Sequence, residues 1–192
     1  MSQFIKNLKP IWEERVSPII DTFYKINITP NILTITGLVF ICIGSYFILT
    51  KDFTIAGIFI LIGNLFDALD GVLARKYNLT SKFGAFLDSV IDRYSDVIPL
   101  FSLIITFENK DIYFFATIMA IIGSFMTSYV KARAEGIGIE CNVGFFERPE
   151  RSIVLILGLL FTLPYISVII IALTSNITVI QRIFHVYKNS RQ

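Results

Sequence analysis

The sequence predicts an all-α integral membrane protein. Six transmembrane helices form one domain over residues 1–192, with residues 1–30 a cytoplasmic interfacial segment and residues 31–185 the six-helix bundle. Three observations predict it. The first is composition: 54% of the 192 residues are hydrophobic and 17% charged, where soluble domains carry about 25% charge, and mean hydropathy is +0.68. The second is a series of six apolar runs, most of them near the roughly 20 residues needed to cross a bilayer. The third is charge asymmetry. Fifteen of the 17 lysines and arginines fall in the N-terminal segment, around the even-numbered connections or at the C-terminus, against Lys51 and Lys110 elsewhere. The positive-inside rule then puts both termini in the cytoplasm.

Taken in order, residues 1–30 open with Trp12, Val16, Ile19, Ile20 and Phe23 at helical spacing, with Lys9, Glu13, Glu14 and Asp21 between them. That pattern predicts an amphipathic helix lying in the interface, with Ser17-Pro18 a candidate break. The spans follow at Asn31–Thr50, Phe53–Ala74, Phe83–Phe107, Ile112–Val130, Ser152–Leu163 and Tyr165–Phe184. The fifth is short and must borrow length from Pro149–Arg151. Pro164 supplies the turn between the last two. The fourth connection, Lys131–Arg151, is the long one.

Composition excludes several functions. A net charge of +2 implies no nucleic-acid partner, and Cys42 and Cys141 have neither CxxC spacing nor a histidine cluster that would suggest zinc.

Four aspartates interrupt the second and third spans, and an intramembrane carboxylate is a functional hypothesis by default. Asp67 and Asp70 are i,i+3 neighbours, Asp88 and Asp92 i,i+4 neighbours, so each pair shares a helix face. An antiparallel hairpin turning near residues 76–82 brings Asp70 opposite Asp88, and Asp67 opposite Ile91 beside Asp92. All four then lie at one depth, one to two turns inside the cytoplasmic boundary. Gly71 and Gly84 remove side chains beside them, so a ligand or facing backbone can approach. Hard divalent ions with oxygen ligands are the natural counter-charge, Mg²⁺ working with carboxylates and substrate phosphates. A two-metal site for phosphoryl displacement follows. A cation channel or transporter lined by acidic residues is the reading from a different class.

The stretch reads D-x2-D-G-x2-A-R-x8-G-x3-D-x3-D, filled by Asp67, Asp70, Gly71, Ala74, Arg75, Gly84, Asp88 and Asp92. It resembles the signature of the CDP-alcohol phosphatidyltransferases, whose members also have six spans and cytoplasmic termini. The resemblance implies that the hydroxyl of an alcohol attacks the lipid-bearing phosphorus of a CDP-lipid such as CDP-diacylglycerol and expels CMP. It implies that Asp67, Asp70, Asp88 and Asp92 hold two metal ions, Mg²⁺ with Mn²⁺ as an alternative, and that Asp92 is also the general base. Gly71, Arg75 and Ser81 would contact the cytidine diphosphate, as would Pro30, Asn31, Ile32 and Leu33. The residues agree on the last stretch, since Thr29-Pro30 is a good helix start and a helix N-terminus favours phosphate. A homodimer in the cell membrane, with a cytoplasmic active site, is implied as well.

Arginines at a helix N-terminus are disfavoured without an anion, yet Arg148 and Arg151 bracket Pro149 at the fifth span. With Lys131 and Arg133 they suit an acceptor phosphate, and Arg191 or Arg182 would close the pocket from the C-terminal end. The pieces SYVKARAE and ERPER resemble the branch that transfers to inositol 1-phosphate. Glycerol 3-phosphate, carrying the same phosphate, is the alternative acceptor.

Overall fold

The computed structural model describes residues 3–107 and 111–190. These form seven α-helices and no strand among the described residues: α1 Gln3–Lys25, α2 Pro30–Leu49, α3 Phe53–Lys76, α4 Lys82–Thr106, α5 Asp111–Gly136, α6 Arg148–Leu160 and α7 Pro164–Asn189. Four are long and apolar enough to cross a membrane: α2, α3, residues 112–136 of α5, and α7. α4 falls outside that set because Asp88, Asp92, Arg93 and Asp96 sit in its first fifteen residues, and α6 because it has only 13 residues.

Helix ends follow local chemistry. Ser81 caps α4, its Oγ accepting from the Gly84 N–H at 2.9 Å. α3 stops where Asn78 turns left-handed (φ 53°) and the Leu79 N–H reaches back to the Ala74 carbonyl at 2.9 Å, a Schellman ending that asparagine tolerates well. Two bounds differ from expectation. α1 runs unbroken through Ser17-Pro18, because Val16 and Ile20 on either side are buried against Leu33, Leu69, Val72 and Leu73. α5 continues six residues past Val130 through Lys131-Ala132-Arg133-Ala134-Glu135, good helix formers with no breaker before Gly136.

Helices α2 to α7 close into a ring in the order α2, α3, α6, α7, α5, α4, each packing on its two neighbours, with α1 laid against α3. The expected hairpin is therefore not a packed pair. α2 lies between α3 and α4, and the carboxylates of those two helices face one another across the space this leaves. α2 and α3 approach closely through glycine: a Cβ added at Gly63 would stand 2.7 Å from the Gly37 carbonyl oxygen, and one at Gly37 2.8 Å from that of Gly63. Small residues of this kind let membrane helices pack backbone to backbone. The ring is filled on one side by Ile48, Ile60, Leu100, Leu103, Leu159 and Ile171. Its buried charged side chains, Asp70, Asp96, Arg151 and Arg182, gather elsewhere.

Candidate active site

Every helix of the ring sends a polar side chain into one centre. From α3 and α4 come Asp67, Asp70 and Asp88, whose carboxylates offer oxygens within 4.8 Å of one another. Asp70 is buried and accepts a hydrogen bond from Thr34 Oγ1 of α2. Asp92 lies one turn further along α4, and there a cation stands beside it. Arg148, first residue of α6, donates from Nη1 to Asp67 Oδ2 at 2.8 Å. The same Nη1 lies 2.7 Å from Asp92 Oδ1, an ion pair off the hydrogen-bond line, since that oxygen has no aligned donor. Arg93 Nη2 reaches Asp92 Oδ2 at 3.3 Å. Buried charges survive only when paired in this way.

Two cavities flank the carboxylates. One, of about 170 Å³, is lined by Pro30, Asn31 and Thr34 of α2, Asp70, Gly71, Ala74 and Arg75 of α3, and Ser81, Gly84 and Asp88 around the start of α4. A Cβ at Gly71 would stand 3.0 Å from Arg75 Nη1, so the guanidinium folds back over a surface that only glycine leaves open. Its Nη2 is held from outside by Glu13 of α1, at 2.8 Å. The neighbouring Lys76 pairs with Asp21 and Ser17, Tyr77 donates to Asp21 at 2.7 Å, and Tyr77 stacks on Tyr24 with centroids 3.7 Å apart. Hydrogen bonds from Lys76 and Tyr77 pull the Asp21 carboxyl below its ordinary value.

The other cavity, of about 240 Å³, is lined by Asp92, Arg93, Thr127, Lys131, Glu147, Arg148, Arg151 and Arg182. Within this wall Arg151 is 4% exposed, donating to Asp96 Oδ2 at 2.6 Å and Thr127 Oγ1 at 3.0 Å. Arg182 donates to Glu147 Oε1 and the Val143 carbonyl, each at 2.9 Å. The Nε atoms of Arg93, Arg148 and Arg151 are buried without a hydrogen-bond partner among the described residues.

Several sequence-predicted residues sit apart from these walls. Ile32 faces outward at 48% exposure and Leu33 is buried in the core. On a helix beginning at Pro30, the residues sharing the cavity face are Pro30, Asn31 and Thr34, and Ile32 and Leu33 point elsewhere. Arg133 is exposed and outside the second cavity, because two residues after Lys131 the helix has turned to its far side. Arg191 lies outside the described residues. Conversely, Thr34, Asp96, Thr127 and Glu13 touch the site without having been singled out. Asp96 alone had a visible signal, as the next i+4 step after Asp88 and Asp92.

Comparison with known proteins agrees with this geometry. The family model of the CDP-alcohol phosphatidyltransferases matches residues 27–180. An archaetidylinositol phosphate synthase from Pyrococcus horikoshii is 37% identical, covering 96% of this chain and 97% of its own length. A phosphatidylinositol phosphate synthase from Mycobacterium tuberculosis is 32% identical over 89% of this chain and 85% of its own. Solved structures of the M. tuberculosis enzyme superpose with a TM-score of 0.83 at 29% identity. One, in complex with manganese and citrate, covers 88% of each chain, and one with CDP-DAG bound covers 90% of this chain and 93% of that one. The chain belongs to the CDP-alcohol phosphatidyltransferase family and is a multi-pass membrane transferase of phospholipid synthesis.

Proposed function

We propose that the enzyme transfers the phosphatidyl group of a CDP-lipid, CDP-diacylglycerol or its ether counterpart, to inositol 1-phosphate and releases CMP. The observation that carries this reading is the pair of cavities on either side of one carboxylate cluster. The first is lined by the signature glycines, Arg75 and Ser81 at a helix N-terminus, a setting for a diphosphate. The second is walled by lysine and arginine, a setting for a second phosphate. The relatives named archaetidylinositol phosphate synthase and phosphatidylinositol phosphate synthase support the acceptor.

Divalent metal belongs to the reading as two ions, Mg²⁺ or Mn²⁺. The residues fit such a group. The donor set is entirely carboxylate oxygen, Asp67, Asp70 and Asp88 already lie within 4.8 Å, and a Cβ at Gly84 would intrude 3.2 Å from Asn31 Oδ1 in the adjoining wall. When bound on Asp67, Asp70, Asp88 and Asp92, the ions neutralise the diphosphate and polarise the phosphorus under attack. Gly71 admits the diphosphate to the α3 backbone, Arg75 covers it, and the positive end of the α2 dipole faces it. Lys131 and Arg148 hold the acceptor by its phosphate. Asp92 takes the proton of the acceptor hydroxyl as its oxygen bonds to the lipid-bearing phosphorus. The bond from that phosphorus to the bridging oxygen breaks, and CMP leaves with the electron pair.

In the same reading α4 and α6 complete six spans. α4 hides its carboxylates inside the ring, and α6, about 20 Å long, begins below the membrane surface. Both termini and the active site face the cytoplasm of the cell membrane, α1 lies in the interface with Ile19 toward lipid, and the enzyme is a homodimer. The test is a panel of inositol 1-phosphate, glycerol 3-phosphate and free inositol offered with CDP-diacylglycerol to the purified enzyme. Inositol 1-phosphate alone should release CMP and yield a lipid product. Efficient transfer to glycerol 3-phosphate, with none to inositol 1-phosphate, would overturn the acceptor assignment.

A further inference from the structure

The chemistry above gives Asp96 no task, although it is a carboxylate only 7% exposed, one turn beyond Asp92. Its oxygens face two guanidiniums. Oδ2 accepts from Arg151 Nη2 at 2.6 Å, and Oδ1 lies 3.6 Å from Arg148 Nε. Arg151 is anchored a second time, from Nη1 to Thr127 Oγ1 of α5 at 3.0 Å. A planar guanidinium tied at both terminal nitrogens, to α4 and to α5, cannot rotate about its own axis. Its Nε is buried and without a hydrogen-bond partner among the described residues, while the side chain lines the cation-lined cavity. Behind the pair is a void of about 20 Å³ lined by Asn64, Ser95, Ser124 and Ser152 and by the apolar Ile60, Leu100, Leu155 and Ile171, large enough for one water. At 4% and 7% exposure the pair is shielded from bulk solvent.

We propose that Asp96 is the positioning residue of the alcohol-phosphate pocket, holding Arg151 in the orientation in which it meets the acceptor's phosphate. The proposal rests on the acceptor-phosphate reading of that cavity. Asp96 touches neither substrate and acts through Arg151. With its partner neutralised, the guanidinium keeps its charge and loses its fixed direction, so the defect falls on one substrate.

The experiment is steady-state kinetics with both substrates varied, on Asp96→Asn, Arg151→Gln, the double variant and Lys131→Ala. Lys131 lines the same cavity, so it tests the pocket separately. Asp96→Asn should raise the acceptor KM about tenfold or more, the scale of a lost charge-assisted contact, and leave the CDP-lipid KM within about twofold. Added to Arg151→Gln, it should change the acceptor KM by less than about twofold, because two residues acting as one unit are not additive. This comparison also decides the matter if Asp96→Asn alone fails to fold, since the double variant leaves no unpaired buried guanidinium at position 151. An unchanged acceptor KM in Asp96→Asn, beside a raised one in Lys131→Ala, would overturn the proposal and leave the pocket reading standing. Unchanged values in both would overturn the pocket reading itself. Equal rises in both KM values with a lowered Tm, or a further large rise in the double variant, would show that Asp96 does not work through Arg151 on the acceptor.

Discussion

Gly63→Ala tests whether the close approach of α2 and α3 sets the geometry of the carboxylates. In a free helix this substitution stabilises by about 1 kcal/mol. Here the new methyl would lie 2.7 Å from the Gly37 carbonyl oxygen and 2.6 Å from Ile41 Cγ1, and Ile41 is itself buried. Ordinary contact begins near 3.4 Å, so the helices must part by about 0.7 Å against backbone that cannot rotate away. Overpacking of this kind costs about 1–3 kcal/mol. Gly63 is one turn from Asp67, so the parting also moves Asp67 relative to Asp88 on α4. Thermal unfolding in detergent should show a lower Tm, by about 2–4 °C per kcal/mol. A Mn²⁺ titration followed by the same unfolding should need more metal for half its stabilising effect. Gly136→Ala is the control, because nothing lies within 4 Å of a Cβ there. The reasoning is refuted if Gly63→Ala matches Gly136→Ala in both Tm and metal requirement.

Three further outcomes are expected. Chelation should stop CMP release, with Mg²⁺ or Mn²⁺ restoring it and Ca²⁺, whose shell is larger and looser, restoring it poorly; full activity in excess chelator would refute the metal assignment. Asp92→Asn should reduce kcat by about 10²-fold or more, the range of general-base catalysis, while the folded protein still binds CDP-lipid; a wild-type rate removes Asp92 from the mechanism. The clasp of α1 on α3 should release in acid. The Asp21 carboxyl titrates below 3.8 in the folded protein, so its contribution is complete above that value and is lost as pH falls through the depressed one. Protease cleavage between α1 and α2 should be slow at pH 5 and accelerate well below pH 4, and Asp21→Asn should be cleaved faster at pH 5 than the wild type.

The sequence made α2, α3 and α4 legible to within one or two residues, because apolar runs ended by Lys51-Asp52 and Tyr77-Asn78 leave little choice of boundary. The signature carboxylates were equally visible, since i,i+3 and i,i+4 spacings are local quantities. What failed to show was long-range. Nothing local says that α2 would lie between α3 and α4, or that Arg151 would be buried on Asp96, 55 residues away. Nor does spacing reveal that Arg148 would bridge Asp67 and Asp92 rather than stand clear of the acidic cluster. Pro30 to Leu33 looked like one contact stretch, but helix geometry divides those four residues among three directions.

The carboxylates of α3 and α4 and the α6 guanidiniums that pair with them also differ in age. Asp67, Asp70, Asp88, Asp92 and Asp96 all leave the ribosome before Arg148 and Arg151, with about 50 residues between the last aspartate and the first arginine. At usual rates of synthesis that interval is about 3–10 s. Throughout it, α3 and α4 carry five acidic groups with neither arginine yet made. They cannot pack as a finished pair. Water or a cation must accompany them until α6 arrives, which makes the final third of the chain a chaperone for the first half of its own candidate site.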